Sequence, residues 1–294
     1  MIPFSFENKI RFHLDVLNFR IMYGERKEKS VCIRIKLWLS IRPFMKSKTE
    51  AIIISSMNLG EADKLVTFFS LDRGMLKGVA RNARKSFKRF GAGLESFALV
   101  RLLLYEREHQ ELARIESAEI IEQHPGIIVD LGCSAAGAVM LELVREMSPL
   151  GERNAQAFLL LSQILHLLDA GEDPLFLLSI FKIKFLSLVG YQPKLDYCLS
   201  CGNPPKGEIV FLGLKGGILC PDCMVPSGGP QVKLSPGAVG FYYQALRMEM
   251  DKVCRLKPSD GIVHELDQAF TSHTFHILGK RLKSTEFLKT ITSL

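Results

Sequence analysis

Between residues 49 and 121 apolar residues fall in short runs separated by turn formers, and beyond Pro125 they recur at helical spacing. The first region reads as five strands, at 51–57, 64–70, 75–80, 94–105 and 111–121. Asp72-Arg-Gly74 supplies a turn between the second and third, with Gly74 able to take positive φ cheaply. The Gly91/Gly93 pair marks entry to the long fourth strand. Five short strands in this span, with no long helix between most of them, predict a small Greek-key barrel. The oligonucleotide-binding (OB) type is one candidate, and periodicity does not separate it from an SH3-like barrel. The second region predicts helices over 130–147, over 154–169 from an Asn cap, and from the Asp173-Pro174 start to Gly190. Two more are expected over 236–253, after Ser235, and over 259–290 with a break near Gly279. The fold class is therefore α+β, a five-stranded barrel over 45–124 followed by a mainly helical domain over 125–294. Residues 1–44 lack a repeating period and are expected to be a disordered extension or the product of a misplaced start.

Between the third and fourth helices, residues 195–229 are rich in Gly and Pro and carry two cysteine pairs. Cys198 and Cys201 are separated by two residues, as are Cys220 and Cys223, with eighteen residues between the pairs. A two-residue gap lets both thiolates of a tight turn face one tetrahedral metal, and two such knuckles complete a closed shell. One structural zinc ion is the expected occupant, since four thiolates leave no open position for catalysis. A redox dithiol is the rival reading, and the pairing of pairs disfavours it. Cys32, Cys133 and Cys254 read as ordinary thiols of a protein in a reducing cytoplasm.

Charge changes this picture only locally. The formal charge is +7, but residues 1–44 hold nine Lys/Arg against four acids, leaving +2 for 45–294. Within the barrel, however, Arg73, Lys77, Arg81, Arg84, Lys85, Lys88 and Arg89 follow one another with Phe87 and Phe90 interleaved. Leaving the third strand as a loop or short helix, such a run can neutralise phosphates and offer a ring to an unpaired base. The bland alternative is a solvated basic loop with both rings in the core. A second cluster, Lys280, Arg281 and Lys283, has His273, His276 and Phe287 nearby; late in a helix it also complements the dipole.

No enzyme motif accompanies these features. A phosphate-binding GxxxxGK[ST], a GxGxxG after a strand and a nucleophile elbow are all missing, and His264-Glu265 lacks a second histidine. A non-enzymatic protein is expected. The richest apolar runs, 158–168 and 175–190, are interrupted before the roughly 18 residues a membrane span needs. No secretory h-region is visible at the start.

Four segments together resemble the RecO family of bacterial DNA repair proteins. They are Glu61-Ala-Asp-Lys64 with Val66-Thr-Phe-Phe-Ser70 and Gly74, then Gly78-Val-Ala-Arg81-Asn-Ala-Arg84-Lys85 leading to Arg89-Phe-Gly91 and Leu94-Glu-Ser-Phe97. The third is Gly190-Tyr-Gln-Pro193 before the first cysteine pair, and the fourth Leu278-Gly-Lys-Arg-Leu-Lys-Ser284 with Phe287-Leu288. The resemblance spans about 46–291, and the cysteine pairs match those members that retain four cysteines. It implies an OB barrel, a helical domain and a role in recombinational repair. RecO-like proteins bind single- and double-stranded DNA, anneal complementary strands, engage the acidic C-terminal tail of single-stranded DNA-binding protein (SSB) and, with RecR, help load RecA. Arg81, Arg84, Lys85, Lys88 and Arg89, with Lys77, are the implied phosphate contacts; Lys280, Arg281 and Lys283 are the implied contacts to the acidic tail. The resemblance also implies a cytoplasmic, nucleoid-associated protein. The alternative is a zinc-ribbon factor of transcription or translation that binds RNA or protein.

Overall fold

The computed structural model describes residues 45–106, 112–224 and 231–292, and the extension expected over 1–44 lies outside them. Five strands, β1 (Met45–Leu59), β2 (Asp63–Ser70), β3 (Gly74–Ala80), β4 (Leu99–Glu106) and β5 (Ala113–Glu122), close a barrel in the order β1-β2-β3-β5-β4. Pairing is antiparallel except between β3 and β5, where Gly78 lies opposite Ala113 and Ala80 opposite Ile115 in parallel. The seam is closed by the Ile53 N–H donating to the Ala98 carbonyl at 2.9 Å and the Phe97 N–H to the Ile53 carbonyl at 3.0 Å. This closed five-stranded order makes the barrel OB-like.

The apolar runs in β1 and β2 are continuous because both faces of these strands are covered. Ala51, Ile53, Val66 and Phe68 point into the barrel with Val100, Leu102 and Leu104. Their neighbours of opposite parity, Ile52, Ile54 and Phe69, join a second core with the helices, as does Met75. The fourth strand departs from its predicted start at 94. Phe97 adopts φ 73°, which ends the alternation, so β4 begins only at Leu99. Leu94 stays in the barrel, whereas the Phe97 ring passes to the helical side and lies where a Cβ on Gly137 would come within 2.9 Å of it.

The helices are α1 (Phe87–Phe90), α2 (Pro125–Val129), α3 (Leu131–Met147), α4 (Ala155–Asp169), α5 (Pro174–Leu188), α6 (Pro236–Arg247), α7 (Met250–Val253), α8 (Asp260–Leu278) and α9 (Lys283–Thr292). Side-chain caps set four of their starts: Asp130 accepts from the Cys133 N–H, Asn154 from Ala157, Asp173 from Phe176 and Ser235 from Ala238. Each such cap contributes about 1 kcal/mol. The helix predicted over 236–253 is two helices. Between them the Met248 carbonyl is turned out to accept from Lys184 Nζ at 2.6 Å. Lys182, which interrupts the apolar run in sequence, is only 2% exposed; its ammonium donates to Asp267 Oδ1 at 2.6 Å and Thr271 Oγ1 at 3.0 Å. A buried amine satisfied by a carboxylate and a hydroxyl thus joins α5 to α8. No helix among the described residues is long and apolar enough to cross a membrane.

Short strands β6 (Lys194–Cys198), β7 (Ile209–Leu212), β8 (Gly217–Leu219) and β9 (Gln231–Leu234) form a second sheet in the order β6-β8-β7-β9. Its apolar face, Leu195, Ile209, Phe211, Ile218 and Leu234, belongs to the same core as the helices.

Gly74 holds the barrel to the helices by close approach. Its φ is +68°, and a Cβ there would lie 1.8 Å from the carbonyl oxygen of Glu152. Beside it the Gly151 N–H donates to the Met75 carbonyl at 2.9 Å. Gly74→Ala must therefore displace backbone as well as strain its own φ, and should cost about 3–5 kcal/mol. Urea unfolding of the variant checks this; a cost within about 1 kcal/mol of wild type would show that the 148–153 connection yields freely.

Candidate functional site

The basic run leaves the end of β3 as a turn and enters α1. Two kinds of contact brace it against the β1–β2 turn. The Asn82 N–H donates to Asp63 Oδ1 at 2.8 Å, with Asn82 itself at φ 53°. The Arg84 N–H donates to the Ala62 carbonyl at 3.1 Å, and Arg84 NH1 to the Glu61 carbonyl at 2.9 Å. A loop that sequence alone leaves floating is thus a shelf beside a hairpin tip.

Lys77, Arg81, Arg84, Lys85 and Lys88 are exposed on it. The two aromatic residues divide: Phe90 is buried in the barrel core, and Phe87 is 84% exposed. The ring available for stacking is therefore Phe87. Arg89 is placed differently from its neighbours. Its Nε donates to Ser86 Oγ at 3.0 Å, its NH2 to the Arg81 carbonyl at 2.8 Å and its NH1 to Glu116 Oε1 at 3.5 Å. The guanidinium carbon also lies 4.9 Å from the Phe90 ring centroid. Arg89 is half-buried, and these bonds hold its side chain to the loop and to the barrel wall.

The four cysteines come together from two neighbouring strands. Cys198 ends β6, Cys220 follows β8, and the two strands are paired in parallel. The Leu199 N–H donates to the Ile218 carbonyl at 2.8 Å, which sets one knuckle beside the other. Gly202, at φ +72°, turns the first knuckle, and a short 3-10 turn over Pro221–Cys223 makes the second. All four Sγ atoms lie within 4.8 Å of one another, with Cys201 and Cys220 at 3.8 Å. A tetrahedral ion with metal–sulfur bonds of about 2.3 Å sets its sulfurs about 3.8 Å apart, so the set fits a closed four-thiolate shell and could hold a metal ion. Desolvation opposes ionisation of Cys198, but the N–H groups of Cys201, Cys220 and Ser200 outweigh it and draw that thiol down to about 6. A hydrogen bond with Cys220 leads the causes that push Cys223 up to about 12. By contrast, burial pushes the Cys133 thiol up to about 11, which keeps it protonated.

His273 supports this module from α8. Its ring lies within hydrogen-bond distance of the Gly213 carbonyl, 2.8 Å from Nδ1, and of the Tyr191 carbonyl, 3.1 Å from Nε2. It occupies the space that a Cβ on Gly216 would need. No local signal marks this role, because the contact partners of His273 are sixty and eighty-two residues away.

The C-terminal cations are not equivalent. Gly279, at φ 67°, ends α8, and Lys280 then pairs with Glu146 at 2.6 Å. Its hydrogen bond leads the causes that hold the Glu146 carboxyl below its usual range. Arg281 and Lys283 are exposed. Lys283 opens α9 rather than closing a helix; Glu142 caps that start, accepting from the Ser284 N–H at 2.9 Å and the Lys283 N–H at 3.3 Å. A cleft of about 400 Å³ between α4, α5 and α6, lined by Leu159, Leu160, Lys184, Leu246 and Met250, does not include these cations.

Known families place this architecture. The model described as "Recombination protein O N terminal" matches residues 45–124, and "Recombination protein O C terminal" matches 129–286. The chain belongs to the RecO family. Relatives named DNA repair protein RecO include one from Syntrophus aciditrophicus, 32% identical over 83% of this chain and 95% of the relative. Another, from Symbiobacterium thermophilum, is 32% identical over 83% of this chain and 97% of the relative. The Geobacter metallireducens relative is 38% identical over 60% of this chain and 72% of its own length. Membership of RecO supports a function in DNA repair and interaction with DNA.

Proposed function

We propose that the chain is a mediator of recombinational repair with no reaction centre, cytoplasmic and associated with the nucleoid. It binds single- and double-stranded DNA along the barrel shelf, anneals complementary strands and, with RecR, helps load RecA on strands coated by SSB. The observation that carries the reading is the exposed row Arg81, Arg84, Lys85 and Lys88, with Lys77 on the adjacent strand and Phe87 among them, in a chain of the RecO family. Phosphate neutralisation lowers the repulsion between two strands, and stacking keeps bases unpaired yet available. Annealing then follows from co-localisation. Arg281 and Lys283, with Lys280 released from Glu146, are the candidates for the acidic SSB tail. The metal is zinc, structural, held by Cys198, Cys201, Cys220 and Cys223, as suits a closed set of four thiolates. In this reading the barrel over 45–124 carries the DNA contacts, and 125–294 carries the zinc module and the tail contacts.

Annealing of complementary oligonucleotides coated with SSB tests this. Acceleration that disappears when the acidic tail of SSB is removed is the expected result. No acceleration by folded, zinc-loaded protein sinks the reading, and tighter binding of RNA than of DNA points to an RNA-binding factor instead.

A further inference from the structure

We infer that Arg89 is not a phosphate contact but the clamp that positions the others, a claim that rests on the DNA reading of the barrel shelf. A cation that meets a phosphate needs donors free to reach it. Arg89 engages three of its five N–H donors inside the protein, one on each of three acceptors. Nε bonds Ser86 Oγ at the start of α1, NH2 bonds the carbonyl of Arg81 where the loop begins, and NH1 reaches Glu116 on β5. The planar group lies over the Phe90 ring, which is fixed in the barrel core. The loop from Arg81 to Ser86 is thereby closed on itself and tied to the barrel wall. Its outer side is separately tied to the β1–β2 turn through Asn82 and Arg84. Between those two ties stand Arg81, Arg84 and Lys85, and one helical step beyond stands Lys88.

The assignment depends on shape rather than charge. A guanidinium presents a rigid fork of donors that can meet three acceptors in different directions while stacked on a ring. An ammonium at the same place keeps the positive charge but neither the fork nor the stacking plane. A single-point phosphate contact tolerates that exchange, and a three-way clamp does not.

Binding of a fluorescein-labelled oligothymidine is measured by anisotropy over a range of KCl, for wild type, Arg89→Lys and Arg89→Ala. The expected result is that Arg89→Lys weakens binding about tenfold, nearly as much as Arg89→Ala, and lowers the salt slope by more than the roughly 0.7 due to one single-strand phosphate. Amide exchange over 81–86 should speed up in both variants, with no DNA present. Arg89→Lys with wild-type affinity, slope and exchange overturns the clamp. If Arg89→Lys does not fold, Ser86→Ala, which removes one acceptor and no charge, should weaken binding and speed the same exchange; no change in either overturns the clamp equally. Failure of the DNA reading is separate, because it appears as wild type that does not bind, or as Arg84→Ala/Lys85→Ala binding like wild type. In that event the exchange measurement alone decides whether Arg89 holds the loop.

Discussion

Cys198→Ser is expected to abolish stoichiometric zinc binding and to lower the stability of the helical unit by about 4 kcal/mol, near 10 °C in Tm for a chain of this size. Cys198 is the most deeply buried member of the set, and its sulfur accepts from the backbone N–H groups of Ser200 and Cys220, at 3.4 Å each. Those bonds connect the two knuckles even before the metal does, so losing this sulfur disturbs both. A Ser oxygen is a harder, poorer ligand for zinc, and it leaves three thiolates crowded within 4.8 Å.

The loss should not stop at the module. The sheet that carries the cysteines contributes Leu195, Phe211 and Ile218 to the core formed by α3, α5 and α8, and Phe69 and Met75 of the barrel belong to that same core. Chelation should therefore lower the unfolding temperature of barrel and helices together, with amide exchange rising first over 198–223. Metal analysis with calorimetry before and after chelation measures both effects. A fully stable protein without metal would show that the shared core suffices and that zinc has another role. The sign with pH is also set: each thiol gives up its proton to bind, so zinc affinity falls as pH falls.

How much of this could be read beforehand differs by element. The caps at Asn154, Asp173 and Ser235 are local chemistry, so the helix starts they set were legible from single residues, whereas Asp130 reads as part of its helix and caps it instead. The four cysteines were legible for the same reason, since their spacing encodes the knuckle. The β6–β9 sheet was not, because strands of three to five residues amid Gly and Pro carry too little period, and only packing on α8 defines them. Phe97 shows the opposite failure. It sits in an apolar run that reads as continuous strand, and its left-handed φ answers to Gly137, forty residues away. On the shelf, the residue types were visible but their duties were not. Arg89 and Arg84 look alike in sequence, and Phe87 looks like Phe90. What separates them is Ser86, Glu116 and the barrel core, which enter only with tertiary structure.

Replacing Arg81, Arg84, Lys85 and Lys88 together with Ala is expected to weaken single-stranded DNA binding at least about a hundredfold at moderate salt, and to lower the salt slope by about 3. The reasoning is electrostatic. Each cation that meets a phosphate releases condensed counterions, so its loss removes a fixed increment of slope whatever the sequence bound. Folding should survive: these side chains are exposed, and although the bond from Arg84 NH1 to the Glu61 carbonyl is lost, the loop keeps its Arg89, Asn82 and Asp63 bonds and the backbone bond from residue 84 to Ala62. Phe87→Ala supplies the contrast. A stacking ring holds bases and releases no ions, so its loss should weaken binding by about 1–3 kcal/mol per stacked base while leaving the slope unchanged. Two variants a few residues apart would then move different features of one binding curve. If the fourfold variant instead lowers affinity with an unchanged slope, these cations do not meet phosphates, and the shelf serves a protein partner.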